Sequence, residues 1–174
     1  MQLVEEAMKK AAIAWLSVPA PGAGVPPAPG AGVEAGYAVW CLWLDGALYV
    51  VSGPGEQTVP GLAEASAAVV TVRGDHGGRI LSWPAEVSRL APGAPEWPGV
   101  APTLAAKRLN APGGIEATVA RWAQACVLSR LVPAGEPLSG AALPDDSHGA
   151  PPRPTPAARP ARRPFHLHKV RRRR

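Results

Sequence analysis

The chain has 174 residues, 47% of them hydrophobic, which suits one compact domain with its own core. All 13 acidic residues lie at or before Asp146, whereas nine of the 18 basic residues lie at or beyond Arg153. Up to residue 152, nine bases against 13 acids leave a net charge of about −4, so the folded part gives no reason to expect a basic nucleic-acid-binding face.

The N-terminal segment predicts a short helix followed by a strand. Five apolar residues recur at the spacing of one helix face: Val4, Ala7, Met8, Ala11 and Ala12. The strand is IAWLSV, and residues 19–36 follow as a loop of proline, glycine and alanine. Glu5 and Glu6 precede the lysines and only about eight apolar residues follow, unlike a signal peptide, so we expect a cytoplasmic protein. No run approaches the roughly 18 apolar residues of a membrane span.

Two β-hairpins are predicted next. In YAVWCLWL-DG-ALYVVS, residues 37–52, Asp45-Gly46 supplies the positive φ angles of a type I′ turn. Neither face of the first arm is polar, so one could fill a barrel interior while the other would need a helix or a second subunit as cover. The second hairpin joins AAVVTV to RILSWPAEVSRL through RGDHGG.

The C-terminal part predicts two helices, a last strand and a tail. The helices are expected over residues 99–110 and from about Ile115, and CVLSRLVP closes the domain near Pro133. Residues 134–174 are rich in proline and arginine and should be disordered. This tail could contact nucleic acid weakly and without sequence preference, although a solvated extension is the favoured interpretation.

Cysteines and histidines predict no metal site. Cys41 and Cys126 lie far apart in apolar runs, which indicates buried reduced thiols. His76 falls in a hairpin turn, and the histidines at 166 and 168 fall in the tail. None of these forms a spacing typical of metal ligands, and no serine has the histidine and aspartate pattern of a hydrolase.

The order of these elements, with AIAWLSV, YAVWCLWLDGALYVVSGPGEQTVPGL and RILSWPAEVSRL in sequence, resembles the pyridoxamine 5′-phosphate oxidase-like family of FMN-binding split β-barrels. The resemblance covers residues 1–133. It implies a mainly β fold, a six-stranded antiparallel split barrel with flanking helices, which forms a homodimer with two cofactor sites at the subunit interface. It implies FMN as the cofactor, or a deazaflavin or haem in some branches of the family.

The resemblance also implies where the flavin would lie. Val39 and Trp40 would lie along the isoalloxazine ring or its ribityl chain. Ser52, at the end of its strand, would supply a hydroxyl to the phosphate.

The turn after Ser52 departs from the family pattern. Matching on Leu62, a Ser-Arg-Lys-like triplet becomes Glu56, Gln57 and Thr58. Gln57 and Thr58 therefore stand in the implied phosphate site as neutral groups. Charge-assisted hydrogen bonds are roughly twice as strong as neutral ones, and Glu56 would repel the phosphate dianion, so weaker FMN binding is expected.

Arg79, where the family often keeps a basic residue, could restore one phosphate contact. Lys107 and Arg108 are further basic candidates, but a solvated helix face is the favoured interpretation of both.

Two functions stay open. The first is a flavin-dependent oxidoreductase, using FMN or a deazaflavin on an unknown small molecule, in which the cofactor carries the redox chemistry. The second is a non-catalytic split-barrel binding module that has lost tight cofactor binding.

Overall fold

The computed structural model describes residues 2–19, 36–73, 79–109 and 111–138, without the side chains of Arg79 and Ile80. Residues 74–78 of the RGDHGG turn, residues 20–35 of the loop at 19–36 and the tail from residue 139 onward lie outside these ranges. The described residues form three helices and seven strands: α1 (Gln2–Lys9), β1 (Ile13–Ser17), β2 (Tyr37–Trp40), β3 (Leu42–Leu44), β4 (Ala47–Ser52), β5 (Ala67–Arg73), β6 (Arg79–Arg89), α2 (Trp97–Lys107), α3 (Gly114–Ala125) and β7 (Val127–Pro133).

The seven strands form one antiparallel sheet in the order β2-β1-β5-β6-β7-β4-β3. The two edge strands, β2 and β3, are consecutive in the chain and are separated by Cys41 alone. The sheet therefore curls until its edges nearly meet, which makes a split barrel. This confirms the mainly β, antiparallel barrel that the sequence predicts.

The seventh strand arises because the arm predicted over residues 37–44 is broken at Cys41. Its first half pairs with β1, where Val39 lies opposite Ala14, and its second half pairs with β4, where Trp43 lies opposite Leu48. The Asp45-Gly46 turn is confirmed, with φ of 49° and 74° at its two residues.

Both faces of that broken arm are covered within one chain. Val39 and Cys41 point into the barrel interior, where Trp43 packs against the same core. Leu42 and the half-buried Trp40 lie on the outer face, which α2 and α3 cover. The sequence predicted that a helix or a second subunit would cover one face of this arm, and in the structure helices cover it.

The helix α1 packs against β6 and buries Val4 and Met8, as its amphipathic pattern predicts. Across the described ranges, no helix combines the length and apolar character needed to cross a membrane.

Candidate functional site

A tight turn follows β4 and packs against the end of α3. Gly53 has a φ of +144°, and a Cβ there would lie 3.0 Å from both the Ala125 carbonyl oxygen and the Cys126 Cα. The Glu56 N–H donates to the Gly53 carbonyl at 3.0 Å and closes the turn. Only glycine suits this position, since it tolerates positive φ and leaves room for the neighbouring backbone.

The carboxylate of Glu56 lies at the centre of a buried polar cluster. Arg108 Nε donates to its Oε2 at 2.8 Å and to its Oε1 at 2.9 Å, Arg121 Nη2 donates to Oε1 at 2.6 Å, and Trp122 Nε1 donates to Oε1 at 2.9 Å. The Glu56 side chain is 1% exposed, against 18% for Arg108 and 35% for Arg121. These four residues are called the Glu56 cluster below.

Both arginines also bind the backbone of the turn. Arg108 Nη2 donates to the Gly55 carbonyl at 3.0 Å, and Arg121 Nη1 donates to the Pro54 carbonyl at 3.1 Å. The cations at this turn therefore come from the end of α2 and from α3, and they fasten the turn to both helices.

Burial of the Glu56 carboxylate raises its pKa, but hydrogen bonds from Arg108, Trp122 and Arg121 outweigh that effect, and the pKa lies below its ordinary value of 4.5. Glu56 is thus a carboxylate at neutral pH. The carboxylate that the sequence placed at the implied phosphate site is paired with two guanidinium groups.

The next residue, Gln57, binds the backbone of Trp40. Its Nε2 donates to the Trp40 carbonyl at 2.9 Å, and its Oε1 accepts from the Trp40 N–H at 2.9 Å. The Trp40 ring lies 6.2 Å from the Trp122 ring, at an interplanar angle of 34°. Glu56 and Gln57 therefore fix both indoles from one short turn.

A cavity of about 450 Å³ lies beside these residues. It is lined by Ala12, Ile13, Trp40, Cys41, 55–57 and 107–109. Ile13 and Leu109 are exposed at its wall, and Lys107 is exposed there too. In the described ranges Lys107 forms no ion pair, so its ammonium group is available to a ligand. The cavity combines an indole face, apolar walls, the ion pair between Glu56 and Arg108 and the ammonium group of Lys107.

The structure brings together only some of the residues predicted to bind a cofactor. Trp40 and Gln57 line the cavity. Val39 is buried in the barrel interior and Ser52 is buried in β4 opposite Val127, and neither lines the cavity. Thr58 is exposed.

Arg79 begins β6 opposite Arg73, and its side chain lies outside the described part of the structure. Its predicted contact with phosphate stays a prediction.

The structure corrects the interpretation of Arg108 and adds Arg121 and Trp122 to the candidate site. A solvated helix face was the favoured interpretation of Arg108, but its guanidinium is mostly buried against Glu56. Arg121 and Trp122 were not predicted at all as site residues. The only signal in the sequence was a carboxylate within a turn of glycine and proline.

Among the described residues, no group of three or more His, Cys, Asp or Glu side chains lies close enough together to hold a metal ion. Both cysteines are free thiols. Cys41 is buried as predicted, and Cys126 is only half-buried.

An antiparallel sheet with nearly joined edges and a cavity on its flank defines the class of protein as a split β-barrel. Comparison with solved structures agrees with this class.

No family model and no curated protein matches the sequence. The solved structures that match in fold include two with TM-scores above 0.5. HutZ, the heme storage protein from Vibrio cholerae, has a TM-score of 0.53 and 13% identity, covering 78% of this chain and 90% of its own.

A protein assigned as a pyridoxamine 5′-phosphate oxidase from Listeria innocua has a TM-score of 0.51 and 12% identity, covering 79% of this chain and 96% of its own. The chain therefore has the split-barrel fold of pyridoxamine 5′-phosphate oxidase-like proteins, as its sequence indicated. Identities this low show the fold, and function is argued from the site.

Proposed function

We propose that the chain binds a flavin-type cofactor in the cavity beside Trp40 and acts as a flavin-dependent oxidoreductase on a small molecule. The cavity is the observation that carries this proposal. Its volume of about 450 Å³ lies in the range typical of cofactor pockets, which are mostly apolar with a few placed polar groups.

The cavity walls suit the ring system of a flavin. Trp40 offers an aromatic surface, and Ile13 and Leu109 offer apolar contact. The two hydrogen bonds from Gln57 hold the Trp40 backbone in place, which preorganises that wall. When bound, a flavin supplies the electron or hydride transfer, and the chain supplies binding and orientation.

The names of the two proteins of similar fold support the proposal that the cavity binds a flat conjugated ligand. One is named for heme and the other for pyridoxamine 5′-phosphate, and both molecules contain a planar conjugated ring. A deazaflavin has the same planar shape and stays an alternative to FMN in this proposal.

The proposal includes a homodimer in the cytoplasm. Ile13 is 50% exposed and Leu109 is 86% exposed at the wall of the cavity, an apolar surface that a second copy would cover. The free thiols agree with a reducing compartment. Light scattering after gel filtration tests the dimer, and a monomer at micromolar concentration would contradict it.

The visible absorbance of the purified protein tests the cofactor, followed by titration with FMN, riboflavin and a deazaflavin. We expect micromolar binding, and Lys107→Ala should weaken it severalfold because the cavity loses its free cation. Lys10→Ala removes an exposed lysine outside the cavity and serves as the control. If the protein carries no flavin and binds none of FMN, riboflavin and the deazaflavin at micromolar concentration, the proposal is wrong.

The second candidate is a binding module without catalytic activity. One observation favours it: the two guanidinium groups nearest the turn are paired with Glu56 and are not available to a cofactor phosphate. The same titrations decide between the two functions, because a module that has lost cofactor binding would bind none of FMN, riboflavin and the deazaflavin.

A further inference from the structure

The Glu56 cluster has the composition of an oxyanion-binding site. Two guanidinium groups and one indole N–H converge on a single carboxylate, with donor–acceptor distances of 2.6 to 2.9 Å. The planar guanidinium fork matches carboxylate and phosphate oxygens alike. The site therefore suits an oxyanion of either kind, and its present occupant is a side chain of the same chain.

The donors are held in place independently of the anion. Arg108 is also bound to the Gly55 carbonyl, and Arg121 is also bound to the Pro54 carbonyl. If the carboxylate were removed, these backbone contacts would keep both guanidinium groups beside the turn. The carboxylate contributes one negative charge beside two guanidinium groups, so its removal would make the cluster more positive by one charge.

The cluster forms part of the cavity wall. Glu56 and Arg108 both line the cavity, next to Gln57 and Lys107. A ligand bound there would find the guanidinium groups already paired, and its phosphate dianion would face a buried carboxylate. A ligand without a phosphate would meet neither obstacle.

We infer that Glu56 is a specificity-determining residue: its carboxylate fills an oxyanion site in the cavity wall and selects a flavin that lacks the terminal phosphate, riboflavin rather than FMN. The choice of flavin rests on the proposed function, whereas the oxyanion site rests on the hydrogen bonds of the cluster alone.

Titration of the full chain with riboflavin and FMN tests the selection. The wild-type protein should bind riboflavin more tightly than FMN. Glu56→Ala should prefer FMN by about tenfold or more, because the two guanidinium groups that bind Glu56 in the wild type can form charge-assisted hydrogen bonds to the phosphate. Glu64→Ala removes an exposed carboxylate and should keep the wild-type ratio. A wild-type protein that binds FMN at least as tightly as riboflavin, or a folded Glu56→Ala variant with the wild-type ratio, would overturn the inference.

Inorganic phosphate tests the oxyanion site without any flavin. At equal ionic strength, phosphate in place of chloride should raise the Tm of Glu56→Ala by several degrees more than it raises the Tm of the wild type and of Glu64→Ala, which measure the general stabilising effect of phosphate. A Glu56→Ala variant that phosphate stabilises no more than the wild type, or that stays unfolded in phosphate, contradicts the site, because the anion should replace the missing charge.

The two failures are distinguishable. If the wild type binds neither flavin but phosphate stabilises Glu56→Ala more than the wild type, the proposed function is wrong and the oxyanion site stands. If the wild type binds flavin but phosphate stabilises the variant no more than the wild type, the proposed function stands and the role given to Glu56 is wrong.

Discussion

Gln57 pairs with Trp40 as a neighbouring strand would, accepting the Trp40 N–H and donating to its carbonyl, each at 2.9 Å. Trp40 is the last residue of β2, at the point where the predicted arm breaks. The side-chain amide therefore satisfies both backbone groups there and fixes the indole at the cavity wall. Gln57, which the resemblance placed at the cofactor phosphate, thus supports the wall of the cavity.

Gln57→Ala should destabilise the protein by about 1–3 kcal/mol, because both Trp40 backbone groups lose their partner. Gln57→Arg should cost a similar amount, since the guanidinium cannot accept the Trp40 N–H. Thr58→Ala, at the exposed neighbouring position, should stay within about 0.5 kcal/mol of the wild type. Urea unfolding measures all three, and equal midpoints for Gln57→Ala and Thr58→Ala would contradict the pairing.

Glu56→Gln should reduce the free energy of unfolding by roughly 3 kcal/mol, the lower end for a broken buried ion pair, because it leaves two guanidinium groups without their counter-charge. We expect the lower end of the range of free energies because Arg121 is 35% exposed and partly hydrated. Glu64→Gln, at an exposed position, is the matched control. Chemical denaturation checks both, and a Glu56→Gln variant as stable as its control would show that the cluster adds nothing to stability.

The Glu56 cluster should also make the protein sensitive to acid. The pKa of Glu56 is lowered in the folded state, so its contribution to stability is complete above its ordinary value of 4.5 and is lost as the pH falls through the lower folded value. The wild type should therefore lose more stability than Glu56→Gln between neutral pH and about pH 3. Denaturation midpoints at the two pH values test this, and parallel losses in both proteins would refute it.

Gly53→Ala should destabilise the protein by more than about 1 kcal/mol, because alanine is strained at a φ of +144° and its Cβ would press on the backbone of Ala125 and Cys126. Gly93→Ala is the control, as a Cβ there meets no atom within 4 Å. Thermal unfolding compares the two variants. Similar Tm values would mean that the turn adapts to a side chain.

The two thiols should differ in reactivity. Burial raises the pKa of Cys41 to about 12 and also raises the pKa of the half-buried Cys126. At about pH 8 the folded protein should therefore react with iodoacetamide slowly at Cys126 and not at Cys41, whereas both should react after denaturation. Mass spectrometry of the peptides identifies the site, and Cys126→Ser isolates Cys41. Rapid labelling of native Cys126→Ser would contradict the burial of Cys41.

Elements that depend on local spacing could be predicted from the sequence. The amphipathic repeat predicted α1, Asp45-Gly46 predicted the turn between β3 and β4, and two-sided apolar character required cover on both faces. These features follow from neighbours in the chain, whose geometry a periodicity or a turn residue reports directly. The split barrel was predicted by the resemblance to a known family, which the order of the elements and the quoted stretches of sequence carried.

Where the barrel closes and which side chains meet at the candidate site depend on contacts between distant parts of the chain. The break at Cys41 depends on the pairing of β2 and β3 with two different strands, which no residue in the arm signals. The partners of Glu56 lie 52, 65 and 66 residues further along the chain. From sequence alone, a charged residue in a turn is expected to be solvated. Only the folded chain removes water from it and brings its counter-charges within hydrogen-bonding distance, so its burial cannot be predicted from its neighbours in the sequence.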